Sequence, residues 1–283
     1  MNRLSFWKMS GSGNDFILVD NRRGQVPGSS GADLARALCA RRFSVGADGL
    51  ILIQKSSRAD FSWSFYNADG SEAAMCGNGG RCAARFAFRR KIAPAVMSFE
   101  TGAGMIRAEV RGERVKLQLP DPYGYRERVT LKVGSEKVGL GFLVVGVPHA
   151  AMSVEDIAKA PVLKRGRAVR LHREFAPEGT NVNFFQVLGP RKISVRTYER
   201  GIEGETLACG TGSVAAALTA AAAGLVRGPV EVHTRGGEVL KVYCRRRGSN
   251  FREVYLEGAA DFVYEGRIDD SGVLPEGGDD GVS

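Results

Sequence analysis

Tyr66-Asn67-Ala68-Asp69-Gly70-Ser71-Glu72-Ala73-Ala74-Met75-Cys76-Gly77-Asn78-Gly79 has an echo later in the chain, Tyr198-Glu199-Arg200-Gly201-Ile202-Glu203-Gly204-Glu205-Thr206-Leu207-Ala208-Cys209-Gly210-Thr211-Gly212. Each copy is a β-rich run, a polar turn, a Glu four residues before a Cys, and a Cys-Gly-x-Gly that opens an Ala-rich stretch. The cysteines lie 133 positions apart (76 to 209), and the later turns Thr101-Gly102 and Thr234-Arg235-Gly236 repeat the interval (101 to 234). Two equal offsets, close to half of the 283 residues, predict a duplicated chain folded as two similar domains.

Working outward, period-two runs at 15–20, 61–66, 115–119, 182–187, 193–198, 239–243 and 254–256 predict short strands in antiparallel sheets. Helices are expected over Ala32 to Arg42 behind a cap at Ser30, after Cys76, more weakly from Val154 to Ala160, and after Cys209. The class is α+β. The expected domains are 1–122 with 267–283, carrying Cys76, and 123–266, carrying Cys209. The Gly- and Asp-rich tail from Asp269 is expected to be disordered.

Composition excludes several classes. With 43% hydrophobic and 25% charged residues the chain reads as a folded protein, not a fibre or a disordered segment. Its net charge of +9 raises nucleic acid as a partner, but the clusters Arg89-Arg90-Lys91 and Arg245-Arg246-Arg247 lack interleaved aromatics and read as solvated faces. No signal-peptide core opens the chain, and the Ala-rich run from Val214 to Val226 is too short to span a bilayer, so a cytoplasmic protein is expected. Five cysteines without Cys-x-x-Cys argue against a disulfide framework or a structural zinc site. Cys39, Cys82 and Cys244 read as structural thiols.

Cys76 and Cys209 read differently. A cysteine just before a helix meets unpaired backbone N–H groups and the positive end of the macrodipole, so its thiolate is favoured and its pKa is expected below the free value of about 8.5. The glycines let an anionic group approach the same N–H groups. Two such thiols facing each other across a domain cleft suit inversion of a stereocentre, one removing an α-proton and the other returning one to the opposite face.

Phe6-Trp7-Lys8-Met9 with Gly11-Ser12-Gly13-Asn14-Asp15-Phe16, Asn67-Ala68-Asp69-Gly70-Ser71 with Met75 to Cys82, and Glu199-Arg200-Gly201 with Glu205 to Gly212 resemble the diaminopimelate epimerase family, from about residue 3 to about 268. The resemblance implies two pseudo-symmetric domains, each a rolled, mostly antiparallel sheet around a central helix. It implies interconversion of LL- and meso-diaminopimelate without metal, pyridoxal phosphate or other cofactor. Cys76 is then the proton donor and Cys209 the acceptor in the LL to meso direction, with His149 and Glu199 supporting. Asn14, Asn67, Gly77, Asn78, Asn181, Glu199, Arg200, Gly210 and Thr211 are the implied substrate-binding residues, Arg200 being suited to a bidentate carboxylate contact. The expected partner is diaminopimelate alone, with no nucleic acid and no membrane; a homodimer is a candidate assembly. Asn14 and Asn67 also have a plainer reading as turn residues, and His149, beside Pro148, as a loop support. Two departures stand out: Val147 precedes Pro148 where the family often has Asn, and Gly49 follows Asp48 where some members have Gln. Competing readings are a racemase for another amino acid, a basic nucleic-acid-binding protein and a redox dithiol.

Overall fold

Leu50-Ile51-Leu52-Ile53 is an unbroken apolar run, and in the computed structural model, which describes residues 3–248 and 250–269, all four side chains are buried in one strand. The chain divides at 115/116 and again at 259/260 into two units, the first made of the two outer segments and the second of the segment from Lys116 to Ala259.

The first unit holds β1 (Arg3–Gly11), β2 (Asn14–Asp20), α1 (Gly31–Cys39), β3 (Gly49–Gln54), β4 (Phe61–Asn67), α2 (Gly77–Arg89), β5 (Val96–Thr101), β6 (Gly104–Arg111) and β17 (Asp261–Asp269). β7 (Arg114–Gln118) carries the chain across the first division. Strands run in the order β17-β1-β2-β3-β4-β5-β6, antiparallel except for the β2–β3 and β4–β5 pairs, which are parallel. Those two joints are where α1 and α2 cross over, since a parallel pair needs a long connection. α2 packs on β1, β2, β3 and β6.

The second unit holds β8 (Tyr123–Val133), β9 (Glu136–Val145), β10 (Val147–Ser153), α3 (Val162–Arg170), β11 (Asn181–Gly189), β12 (Lys192–Glu199), β13 (Gly204–Thr206), α4 (Gly210–Ala222), β14 (Val230–Thr234), β15 (Val239–Arg247) and β16 (Asn250–Ala259). Its order is β8-β9-β10-β11-β12-β14-β15-β16, with β13 also on β12. The parallel pairs are β10–β11 and β12–β14, bridged by α3 and α4, so the sequence of pairings repeats that of the first unit. α4 is enclosed by strands on nearly every side, from β9 to β16, and ten of its 13 residues are buried. Small Ala side chains let a helix sit that close to a sheet. Each unit is thus a mostly antiparallel sheet about a central helix.

Both central helices end alike. Lys91 (φ 57°) and Gly224 (φ 72°) are left-handed, and the next amide reaches back five residues, Ile92 N to Ala87 O (2.8 Å) and Leu225 N to Ala220 O (3.0 Å). This is the Schellman closure. The outer helices match as well. A Cβ on Gly31 of α1 would lie 2.5 Å from the Tyr66 ring, and one on Gly166 of α3 would lie 2.6 Å from the Tyr198 Cβ.

Local departures from the sequence reading have physical causes. The helix expected over Val154–Ala160 is irregular; α3 begins only after Pro161, because a proline disfavours helical backbone in the residue before it. Ser30 holds the N-cap position of α1 without a side-chain cap bond. That helix stops at Cys39, short of Arg42, where Arg42 turns left-handed and Arg41 reaches Asp15 and Asp48. Cys39 and Cys82 are fully buried, and Cys244 lies at a register shift in β15. The tail expected to be disordered lies, from residue 270 on, outside the described residues.

Candidate active site

Cys76 is the N-cap of α2, in extended conformation, and its Sγ accepts the Gly79 N–H at 3.5 Å. The chain entering it is held two residues earlier, where Ala74 O accepts from Ala103 N (3.2 Å). Gly102 allows that approach, since a Cβ there would be 2.9 Å from the Ala74 Cα. Cys209 is the N-cap of α4, and the corresponding bond, Gly236 N to Leu207 O (2.8 Å), falls 133 residues on. The Thr-Gly turns noticed in the sequence are therefore the tethers of the two cysteines.

Around Cys76, Asn78 Nδ2 donates to Asn14 Oδ1 (2.7 Å), and Asn14 Nδ2 donates to Asp48 Oδ2 (2.9 Å). Arg81, wholly buried, donates from Nη2 to Asn78 Oδ1 (2.9 Å) and to Ser12 Oγ. Asp15 and Asp48 share Arg41 (2.6 and 2.8 Å), and Asp15 also holds Lys8 (2.8 Å). Burial alone would raise the Asp15 carboxyl, but Arg41 and Lys8 bring it below its usual range. Gly77 opens α2. Asn67 ends β4 and donates to Ser71 Oγ (3.0 Å), a turn contact that does not join it to the Asn14–Asn78 network. At the Gly49 departure a Cβ would lie 2.6 Å from the Phe65 ring and 2.7 Å from Tyr66 O, so β3 excludes any side chain, Gln included.

Around Cys209 the expected residues gather more fully. Gly210 opens α4, and Thr211 Oγ1 lies 3.7 Å from Sγ. The Glu199 carboxylate sits against the thiol as an acceptor and a negative charge. His149 and Asn181 face each other in the β10–β11 register. Asn181 Oδ1 accepts the Arg200 N–H (2.7 Å), while the Arg200 guanidinium donates to Glu178 O (3.2 Å). Glu205, the Glu four before the cysteine, is a structural anchor, held by Arg196 (2.6 Å) and Arg235 (2.6 Å).

The thiol electrostatics reverse the expectation drawn from the helix ends. Burial pushes the Cys76 thiol up despite the Gly79 and Asn78 N–H groups. Burial, reinforced by Glu199, pushes Cys209 up to about 12, against the pull of the Gly212 N–H and the Thr211 hydroxyl. Desolvation of a thiolate outweighs the partial charge of one helix terminus. Burial thus favours the protonated form of both thiols. Among the described residues no three His, Cys, Asp or Glu side chains gather where they could hold a metal, and no helix is long and apolar enough to cross a membrane.

A family model for diaminopimelate epimerase matches residues 6–122 and 142–263. A protein of Aquifex aeolicus named diaminopimelate epimerase is 48% identical over 276 residues, covering 94% of this chain and 98% of that protein. One of Archaeoglobus fulgidus with the same name is 41% identical over 277 residues, covering 93% and 96%. The chain belongs to the diaminopimelate epimerase family. Solved structures of a PhzF-family protein from Bacillus anthracis (TM-score 0.73, 14% identity, 95% of this chain and 100% of that chain) and of a probable proline racemase from Agrobacterium radiobacter (0.67, 16%, 94% and 93%) share its fold.

As a member of the diaminopimelate epimerase family the chain is an isomerase. One residue beside its second cysteine escaped the sequence reading. Asn183 is fully buried, and its Oδ1 fills the space a Gly212 Cβ would need, 2.2 Å away. The sequence held a signal for it, since Asn181 and Asn183 alternate with Val182 and Phe184 and so share one strand face.

Proposed function

We propose that the chain, whose relatives are named diaminopimelate epimerase, interconverts LL- and meso-diaminopimelate by two-base proton transfer at the α-carbon, in the supply of lysine and peptidoglycan precursors. The observation that carries this reading is the recurrence, 133 residues apart, of a thiol at the N-cap of a central helix in two units of the same pairing order. A single acid–base group returns a proton to the face it came from; two groups on opposite faces of one carbon invert it.

In the LL to meso direction Glu199 takes the Cys209 proton as the substrate binds. The Cys209 thiolate then removes the α-proton, and the Cys76 thiol gives its proton to the other face. The turnover leaves Cys209 protonated, Cys76 ionised and Glu199 holding the first proton, which passes by way of solvent to Cys76 as product leaves; in the meso to LL direction the two thiols exchange tasks. Gly77 and Asn78 with Gly210 and Thr211 hold the α-carboxylate region through backbone and side chain and stabilise the charge it gains. Asn14, Asn67, Asn181 and Arg200 read the polar ends of the substrate.

The test is to incubate reduced protein with LL-diaminopimelate in deuterated water and follow label and stereochemistry. Deuterium at one α-carbon together with meso product is expected, and Cys76→Ala and Cys209→Ala are each expected to abolish product while keeping the fold. Full turnover by either variant overturns the two-base reading. No label from folded, reduced protein overturns the substrate.

A further inference from the structure

The two cysteine turns differ in what faces the last glycine of each Cys-Gly-x-Gly. Gly79 in the first is faced by Phe16 and Ile51, and Gly212 in the second by Asn183. Phe16 pairs with Gly49, two residues before Ile51; His149 pairs with Asn181, two residues before Asn183. His149 and Asn183 thus occupy in the second unit the stations of Phe16 and Ile51 in the first. All four are buried. A framework that closes on Phe and Ile at these stations does not need His and Asn for packing, and polar groups in such a place are costly unless bonded.

Their bonds fix where the protons are. Ala150 O can only accept, so the Asn183 group 3.0 Å from it is the NH2. The same NH2 lies 3.2 Å from His149 Nδ1, so its second hydrogen meets a lone pair there. Asn183 Oδ1 takes the Thr197 hydroxyl (3.0 Å), which completes the arrangement. A neutral imidazole with its lone pair on Nδ1 carries its hydrogen on Nε2. That Nε2 is buried and has no partner among the described residues.

We propose that Asn183 is a positioning residue that locks His149 in the Nε2–H tautomer, so that His149 meets the substrate as a hydrogen-bond donor and not as a base. Burial and the nearby Arg200 charge keep the ring neutral, its pKa lowered to about 3. The same positive charge favours an anionic acceptor at Nε2, which for an amino acid is a carboxylate oxygen. That last step rests on the proposed function; the tautomer does not.

The chain has three histidines, so long-range 1H–15N correlation on histidine-labelled protein, assigned with His172→Gln and His233→Gln, reads the ring directly. At pH 7 a protonated Nε2 and an unprotonated Nδ1 are expected for His149. A proton on Nδ1, or on both nitrogens, overturns the proposal whatever the substrate is. In Asn183→Asp, whose carboxylate only accepts, the proton moves to Nδ1 and kcat falls on the order of ten-fold or more; an unchanged ring spectrum overturns the role of Asn183. The double variant His149→Phe with Asn183→Ile, which copies the pair of the first unit, is expected to fold and to lose turnover. Full turnover in that double variant overturns the role as well.

Discussion

Gly212 has no side chain because two others need the space: a Cβ would lie 2.2 Å from Asn183 Oδ1 and 3.2 Å from Cys209 Sγ. Its counterpart is less confined, since a Cβ on Gly79 would first meet the Ile51 Cδ1 at 3.2 Å, the tip of a flexible chain. Gly212→Ala is therefore expected to cost about 1–3 kcal/mol of stability by overpacking and to lower kcat on the order of a hundred-fold by displacing the thiol and the His149 support. Gly79→Ala should do markedly less of both. Denaturant unfolding and initial rates on the two variants check the contrast. At this scale the sequence shows the cysteines plainly, because Cys-Gly-x-Gly occurs twice at one interval. It conceals Asn183, whose partner His149 lies 34 positions away and becomes a neighbour only through a parallel strand pair. It also misleads on thiol acidity, because a helix end is visible in a sequence and the depth of burial is not.

The central helices are the elements whose two copies can be compared most directly. Both close with a left-handed residue, glycine at 224 but lysine at 91. A Cβ in that backbone region clashes with its own carbonyl, so Lys91 bears a strain that Gly224 does not. Lys91→Gly is expected to stabilise the protein by about 0.5–1 kcal/mol, the relief of strain exceeding the entropy glycine adds to the unfolded chain; the denaturation midpoint at constant m-value measures it. These helices were legible because an Ala-rich run follows a strong N-terminal signal. α3 was not: Gly166 in its middle weakens the helical pattern, and its reason, contact with the Tyr198 side chain, lies 32 residues away. Alternating strands such as β4 and β12 were legible from period two. β3 was not, since its continuous apolar run Leu50–Ile53 has no period to read.

At the scale of the whole molecule, buried titrating groups set the pH range of the fold. His149, neutral in the folded chain with a pKa near 3 against an ordinary 6.5, makes the unfolded state the better proton binder between those values, so stability falls as pH drops through that window. Cys39, Cys82 and Cys209, raised from 9.0 to about 12, ionise first in the unfolded chain, so stability falls as pH rises through that window. Each group contributes a slope of up to about 1.4 kcal/mol per pH unit. Unfolding free energy measured from pH 3 to 11 is expected to give a plateau between about 6.5 and 9, and His149→Phe should flatten its acid side. The path of the chain through the two units adds a different consequence. β17 pairs along β1 from Ser10 with Asp261 to Arg3 with Asp269, while the second unit is a single unbroken segment. During synthesis that segment has all its strands before β17 leaves the ribosome, so the half whose translation begins first is the half completed last. Until then β1 waits with one edge unpaired, and the newborn chain depends on nothing else sealing that edge before β17 arrives.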